Sequence, residues 1–191
     1  MTKSGWGGCM WGGIAVLLLV RPVMAQGGPA ATPFKAPVIS DTGDLRGPRQ
    51  PIFFRHDIHA GQDRIPCMYC HYSAAVSSEP GIPSVQTCIG CHQVISGTTD
   101  AHRAEITKVR NAWRDKTPPE WIRIYAVPDF VHFPHMRHIK ALGTGPESCA
   151  NCHGEVAKQP RLYQASTLKM GWCIRCHVER KVTRDCTACH F

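Results

Sequence analysis

Apolar residues are unevenly spread along the 191-residue chain. One run is continuous: every residue from Ile14 to Val20 is apolar. The wider stretch Trp6 to Val20 holds 15 residues, four of them glycine, and is short of the roughly 20 that span a bilayer. Lys3 precedes it and Val23-Met24-Ala25 follows, the layout of a secretory leader cut before Gln26. Residues 1–25 are therefore expected to export the chain, either as a cleaved signal peptide or as a retained N-terminal membrane anchor. Residues 26–51, rich in proline and glycine and without periodicity, predict an extended tether. Farther on, Ala101 to Asp115 has a helical period, with Ile106, Val109 and Trp113 on one face. Pro118-Pro119 ends it. The segment Trp121 to Val127 predicts a short strand. Elsewhere apolar positions are isolated and turn residues frequent. The expected fold is mostly irregular and α-helical, with short helices and little sheet.

Composition sharpens this. A hydrophobic share of 43% excludes wholesale disorder, yet 17 glycines and 15 prolines leave few residues for long elements. A chain of this size builds only a modest side-chain core. Something else must fill the interior, and the outstanding residues are 11 cysteines and 11 histidines.

Cys9 lies in the leader. The other ten cysteines fall into five C-x-x-C-H motifs: Cys67, Cys70 and His71; Cys88, Cys91 and His92; Cys149, Cys152 and His153; Cys173, Cys176 and His177; Cys186, Cys189 and His190. This is the attachment signature of c-type haem. Two thiols form thioethers with the two vinyl groups of one porphyrin. The adjacent histidine then reaches the iron. Structural zinc takes four ligands from paired motifs and has no need of a histidine after each second cysteine. Disulfide frameworks lack the fixed triplet, and a dithiol redox motif would occur once. The reading is five covalently bound haems c.

A haem that only transfers electrons has both axial positions filled. Six histidines remain beyond the five proximal ones. Phe54-Arg55-His56-Asp57-Ile58-His59 precedes the first two motifs, and Phe133-Pro134-His135-Met136-Arg137-His138 precedes the next two. Both read F-x-H-x-x-H. Histidines three apart on a helical turn share a face, so His56, His59, His135 and His138 are expected as distal ligands. The fifth ligand is expected to be Met170, three residues before Cys173; thioether sulfur is an established haem ligand. Its rivals are His102, which opens a polar segment, and His132, between Val131 and Phe133.

The pattern is an internal repeat. Equivalent positions are offset by 79 residues at the first histidine (56 and 135), 82 at the first cysteine (67 and 149) and 85 at the next (88 and 173). The domain 52–191 therefore divides into two-haem units near 53–96 and 132–178, with a fifth haem at 186–190. The formal charge of +8 would suit nucleic acid, but no such motif is present. Five haems would bring roughly ten propionates to offset it.

From about residue 50 onward the chain resembles the pentahaem cytochrome c subunit of alternative complex III, a bacterial quinol-oxidising respiratory assembly. The resemblance is carried by His56 to Gly61, Ile82-Pro83-Ser84, Pro119-Glu120-Trp121, Pro128-Asp129-Phe130, Tyr163-Gln164 and Met170-Gly171-Trp172-Cys173. The haem-ligand pattern is also similar to the broader class III cytochromes c. The resemblance implies a non-catalytic electron-transfer subunit on the periplasmic face of the cytoplasmic membrane. It implies iron–sulfur and integral-membrane subunits as partners, and a downstream cytochrome c or terminal oxidase. Competing readings are a multihaem reductase with one open iron and a freestanding periplasmic shuttle.

Overall fold

The structure, a computed structural model, describes Met1 and residues 46–190. The leader, residues 26–45 of the expected tether, and Phe191 lie outside the described residues. Residues 46–190 belong to one compact unit, Ala36–Phe191.

Six α-helices occur in order: α1 Cys67–Cys70, α2 Val85–His92, α3 Asp100–Arg114, α4 His135–Leu142, α5 Pro146–His153 and α6 Met170–Glu179. A π-helical turn, Asp57–Gln62, precedes them, and 3₁₀ turns lie at Tyr72–Ala75, Val156–Lys158 and Cys186–Ala188. Every C-x-x-C-H motif sits on a helical turn. Motifs two, three and four close α2, α5 and the body of α6; the first forms α1 and the fifth a 3₁₀ turn. Helical spacing brings the two thiols of each motif to one side. Punctuation keeps these helices short. Pro146 opens α5, and Gly143 (φ +97°) and Gly154 (φ +66°) end α4 and α5 in a backbone conformation that glycine adopts without strain.

The longest helix follows its pattern. Thr99 caps α3 by accepting the His102 N–H at 3.1 Å. Val109 is buried and Ile106 partly so, while Trp113 near the end stays 46% exposed. The strand predicted at Trp121 to Val127 is absent, and no residue among those described is in a strand. A strand needs a ladder partner, and here side chains take the backbone groups instead. Gln50 bonds both the N–H and the carbonyl of Ile122, at 2.8 and 2.9 Å. That contact also holds the last residues of the expected tether on the domain, as does Arg46 over the Tyr163 ring.

The apolar core is small. Among the described residues, Ile52, Ala74, Ile89 and Val109 are the buried hydrophobics. Ile52, Ile89 and Val109 cluster where α2 meets α3, with Val85, Cys88 and Trp121 against them. The two repeat units grip each other reciprocally. The turn Asp57–Gln62 of the first packs on Val156–Lys158, just past His153 of the second. Helix α4 of the second packs on Tyr72–Ala75, just past His71 of the first. His135 and Met136 donate their N–H groups to Ser78 and Ser77 carbonyls at 3.3 and 3.1 Å.

Gly61 marks the tightest point of this grip, because a Cβ there would run into the Ala157 carbonyl oxygen. Gly61→Ala is expected to destabilise the domain by about 1–3 kcal/mol, read as a lowered thermal midpoint. Gly90→Ala, where a Cβ meets nothing within 4 Å, is expected to leave the midpoint nearly unchanged.

Candidate functional site

None of the ten described motif cysteines is paired in a disulfide. Burial pushes the thiols of Cys70, Cys88, Cys149, Cys152 and Cys173 up, and neighbouring thiols add to the shift. The neighbours from other motifs are specific. Cys70 has Cys91, and Cys88 has Cys70. Cys149 has Cys67. Cys152 has Cys176 and Cys173, and Cys173 has Cys189. No group of three or more His, Cys, Asp or Glu side chains among the described residues is gathered as a bare metal ion would need.

The imidazoles meet in pairs. His56 faces His71 with ring centroids 6.4 Å apart and planes 12° from parallel. His59 meets His92 at 6.0 Å, His135 meets His153 at 6.1 Å and His138 meets His177 at 6.2 Å. Each pair joins a motif histidine to one from an F-x-H-x-x-H turn. Two metal–imidazole bonds of about 2 Å plus the two ring half-widths sum to roughly 6 Å. The spacing is therefore that of two imidazoles on opposite faces of one metal.

The chain orients these rings identically in both units. Phe54 stacks on His59 at 4.5 Å and sets its edge against His56 at 4.8 Å. Phe133 stacks on His138 at 4.1 Å and meets His135 edge-on at 5.3 Å. The second histidine of each turn is bonded through Nδ1 to the carbonyl four residues back: His59 to Arg55 at 2.8 Å, His138 to Pro134 at 3.1 Å. A carbonyl can only accept, so Nδ1 carries the proton and Nε2 keeps its lone pair for a metal. His92, His177 and His190 are fixed likewise, by the Ile95, Thr183 and Phe130 carbonyls at 3.1, 2.6 and 3.1 Å. Arg55, itself buried, is locked by a two-pronged ion pair with Asp57.

Burial holds His56 at about 4, with the His71 and His59 charges adding to it. Burial likewise lowers His153 to about 4, with His135 and His71 adding. His71 and His135 are also lowered, chiefly by burial. These imidazoles are neutral at neutral pH, the form that binds metal.

The fifth motif is different. Phe130 is the ring beside His190, at 5.8 Å and 31°, and the same residue's carbonyl accepts from the imidazole. His132 is exposed, and its N–H donates to the Cys189 carbonyl at 2.8 Å. Residues 130–132 thus line the side of the motif that carries His190. His102 lies on α3, the helix packed against α2, with its Nδ1 3.3 Å from Thr98 Oγ1 and its Nε2 buried without a partner. Met170 is the first residue of α6, 64% exposed, one turn before Cys173. Past Cys173 on the same helix, the His177 Nδ1 bonds the Thr183 carbonyl, three residues before Cys186.

Sequence reasoning missed Tyr125. Its ring meets His153 edge-on at 4.4 Å. Its hydroxyl lies 3.2 and 3.1 Å from the His153 and Tyr163 carbonyls and accepts the Ala165 N–H at 3.0 Å. The segment misread as a strand therefore braces the third motif. A tyrosine amid apolar residues carried no signal for this.

The residues present fit covalent haem: paired thiols on one turn, facing imidazoles with open Nε2 atoms, and an apolar core too small to stand alone. No protein-family model matches the chain. It is 27% identical over 160 residues to the multihaem cytochrome c subunit of menaquinone reductase from Nitratidesulfovibrio vulgaris Hildenborough, covering 73% of this chain and 74% of that protein. The likeness supports a multihaem cytochrome c. Such a cytochrome binds haem c covalently and carries electrons.

Tyr125→Phe removes the only group bonding the Ala165 N–H in that brace. It is expected to cost about 1–2 kcal/mol, measured as a lower denaturant midpoint, while the count of attached haems stays the same.

Proposed function

We propose that this chain passes electrons through five covalent haems c as the periplasmic cytochrome subunit of a quinone-linked, membrane-bound respiratory complex. The observation that carries the reading is the set of four facing imidazole pairs, each joined to its own thiol pair; the fifth haem rests on the fifth C-x-x-C-H motif. In this reading Cys67 and Cys70, Cys88 and Cys91, Cys149 and Cys152, Cys173 and Cys176, and Cys186 and Cys189 form the thioethers. His71, His92, His153, His177 and His190 are the proximal ligands. The pairing supports His56 as the distal ligand of the first iron, His59 of the second, His135 of the third and His138 of the fourth.

Met170 is the proposed sixth ligand of the fifth iron. Two placements favour it over its rivals. His132 is tied to the His190 side of the motif, and His102 belongs to the α2–α3 pair beside the second motif. Met170 opens α6, whose His177 is bonded to Thr183 just ahead of the fifth motif.

One-electron change at iron is the chemistry haem supplies when bound. The chain's own residues do the rest. Phe54 and Phe133 hold two imidazoles each, backbone carbonyls fix the tautomers, and burial keeps the rings neutral. The excess Lys and Arg offset the propionates.

The quinone link is supported by the name of the N. vulgaris protein, a subunit of menaquinone reductase, and by the resemblance to alternative complex III. The second likeness points to quinol oxidation, with iron–sulfur and integral-membrane subunits beside this chain and a downstream cytochrome c or terminal oxidase as acceptor. Export by residues 1–25 completes the proposal. Among the described residues no helix is long and apolar enough to cross a membrane.

The test is intact mass of the mature protein together with low-temperature magnetic spectra of its ferric irons. Five haem masses, with four bis-histidine signals and one histidine–methionine signal, are expected. Fewer than five would refute the reading. In the reduced protein, carbon monoxide is expected to bind none of the irons. Met170→Ala is expected to open one iron to it, whereas His132→Ala and His102→Ala leave all five closed. His59→Ala is expected to open only the haem attached at Cys88 and Cys91.

A further inference from the structure

The five attachment sites, one to five in chain order, do not succeed one another in space as they do in sequence. Sites one and two are joined by a single turn, because His56 and His59 lie three residues apart and face His71 and His92. Sites three and four are joined in the same way by His135 and His138. Sequence order would then connect the two units through sites two and three. The packing connects them elsewhere.

The reciprocal grip joins the units at sites one and three. The turn bearing His56 lies on the residues just past His153, and the helix bearing His135 lies on those just past His71. The Ser77 and Ser78 carbonyls that receive the start of α4 come after site one in the chain. Site two faces away from this grip. Helix α2 is covered by α3, and Arg110 of α3 bonds the His92 carbonyl at 2.7 Å. At the other end, site four runs directly into site five: the His177 Nδ1 bonds the Thr183 carbonyl at 2.6 Å, three residues before Cys186.

We propose that the sites form one unbranched row in the order two, one, three, four, five. This rests on the five-haem reading. Its consequence is that site one, first in the chain, is interior. The ends of the row are site two, under α2 and α3, and site five, at the C-terminus. Outside donors and acceptors therefore exchange electrons at these two ends, and every electron that crosses the protein passes sites one and three.

A structure of the mature protein with its haems gives ten iron–iron distances. The four shortest are expected to be two–one, one–three, three–four and four–five. A two–three distance shorter than one–three, or site one at an end, overturns the order. Intact mass of the same sample separates the two claims. Five haems in another order sink the row alone, and fewer than five sink the reading beneath it.

A second measurement uses two variants. Cys149→Ala/Cys152→Ala lacks the third haem. After pulsed photoreduction, it is expected to lose electron equilibration between sites one and two and sites four and five. Cys88→Ala/Cys91→Ala lacks the second haem and is expected to keep equilibration among the remaining four. The opposite pattern overturns the row, and if either variant fails to mature, the iron–iron distances of the unaltered protein decide.

Discussion

Facing imidazoles, about 6 Å apart in four separate pairs, are the constraint on which the rest of this fold depends. A ring from one turn must meet a ring from a distant one at a separation fixed by two metal–nitrogen bonds. Each pair thus ties together segments that the apolar core is too small to hold. Between them, Ile52, Ile89 and Val109 support only the α2–α3 corner. Ordering a backbone costs about 1–2 kcal/mol per residue, and so small a core cannot offset that over the domain. In the proposed reading, thioethers and axial bonds supply what the side chains do not, and metal binding and folding are one equilibrium, as in other small metal-dependent domains.

The two units show which parts of the clamp the chemistry requires. Arg55 and Asp57 of the first correspond to Pro134 and Met136 of the second, so the buried ion pair has no counterpart. The turn is π-helical in one and α-helical in the other. What both keep is a phenylalanine stacked on the second histidine and a carbonyl four residues back that accepts its Nδ1 proton. The acceptor is main chain, so residue identity at that position is free to change. Proline serves as well as arginine because only the oxygen is used. The ion pair has another use: it locks a buried guanidinium that would otherwise lack a partner.

This separates what was legible in the sequence from what was not. The attachment motifs were fully legible, because a covalent link demands fixed residues at fixed spacing. The four histidines that face motif histidines were legible as a set through the F-x-H-x-x-H repeat. Their partners were not, since His56 and His71, or His135 and His153, meet only through the tertiary fold. Tyr125 was missed for a related reason. Its hydroxyl bonds the backbone of residues 28 to 40 positions away, and no local pattern encodes that. Trp121 to Val127 misled because alternation reports an extended chain, whereas a strand also needs a neighbour with unused backbone groups. Gln50 of the expected tether took part of that role.

The fifth site breaks the symmetry, and the break is a consequence of the chain. A third F-x-H-x-x-H string, Phe130 to His135, overlaps the second but forms no helical turn over 131–134, and Phe130 and His132 touch the fifth motif at His190 and Cys189. In the proposed reading that iron is closed from α6, with Met170 at its first position and site four along its length. The ligand of one site is then carried on the helix that forms the next. Exchanging imidazole for thioether raises an iron's potential. With Met170 as its proposed ligand, the site without a facing ring is the one most able to hold an electron.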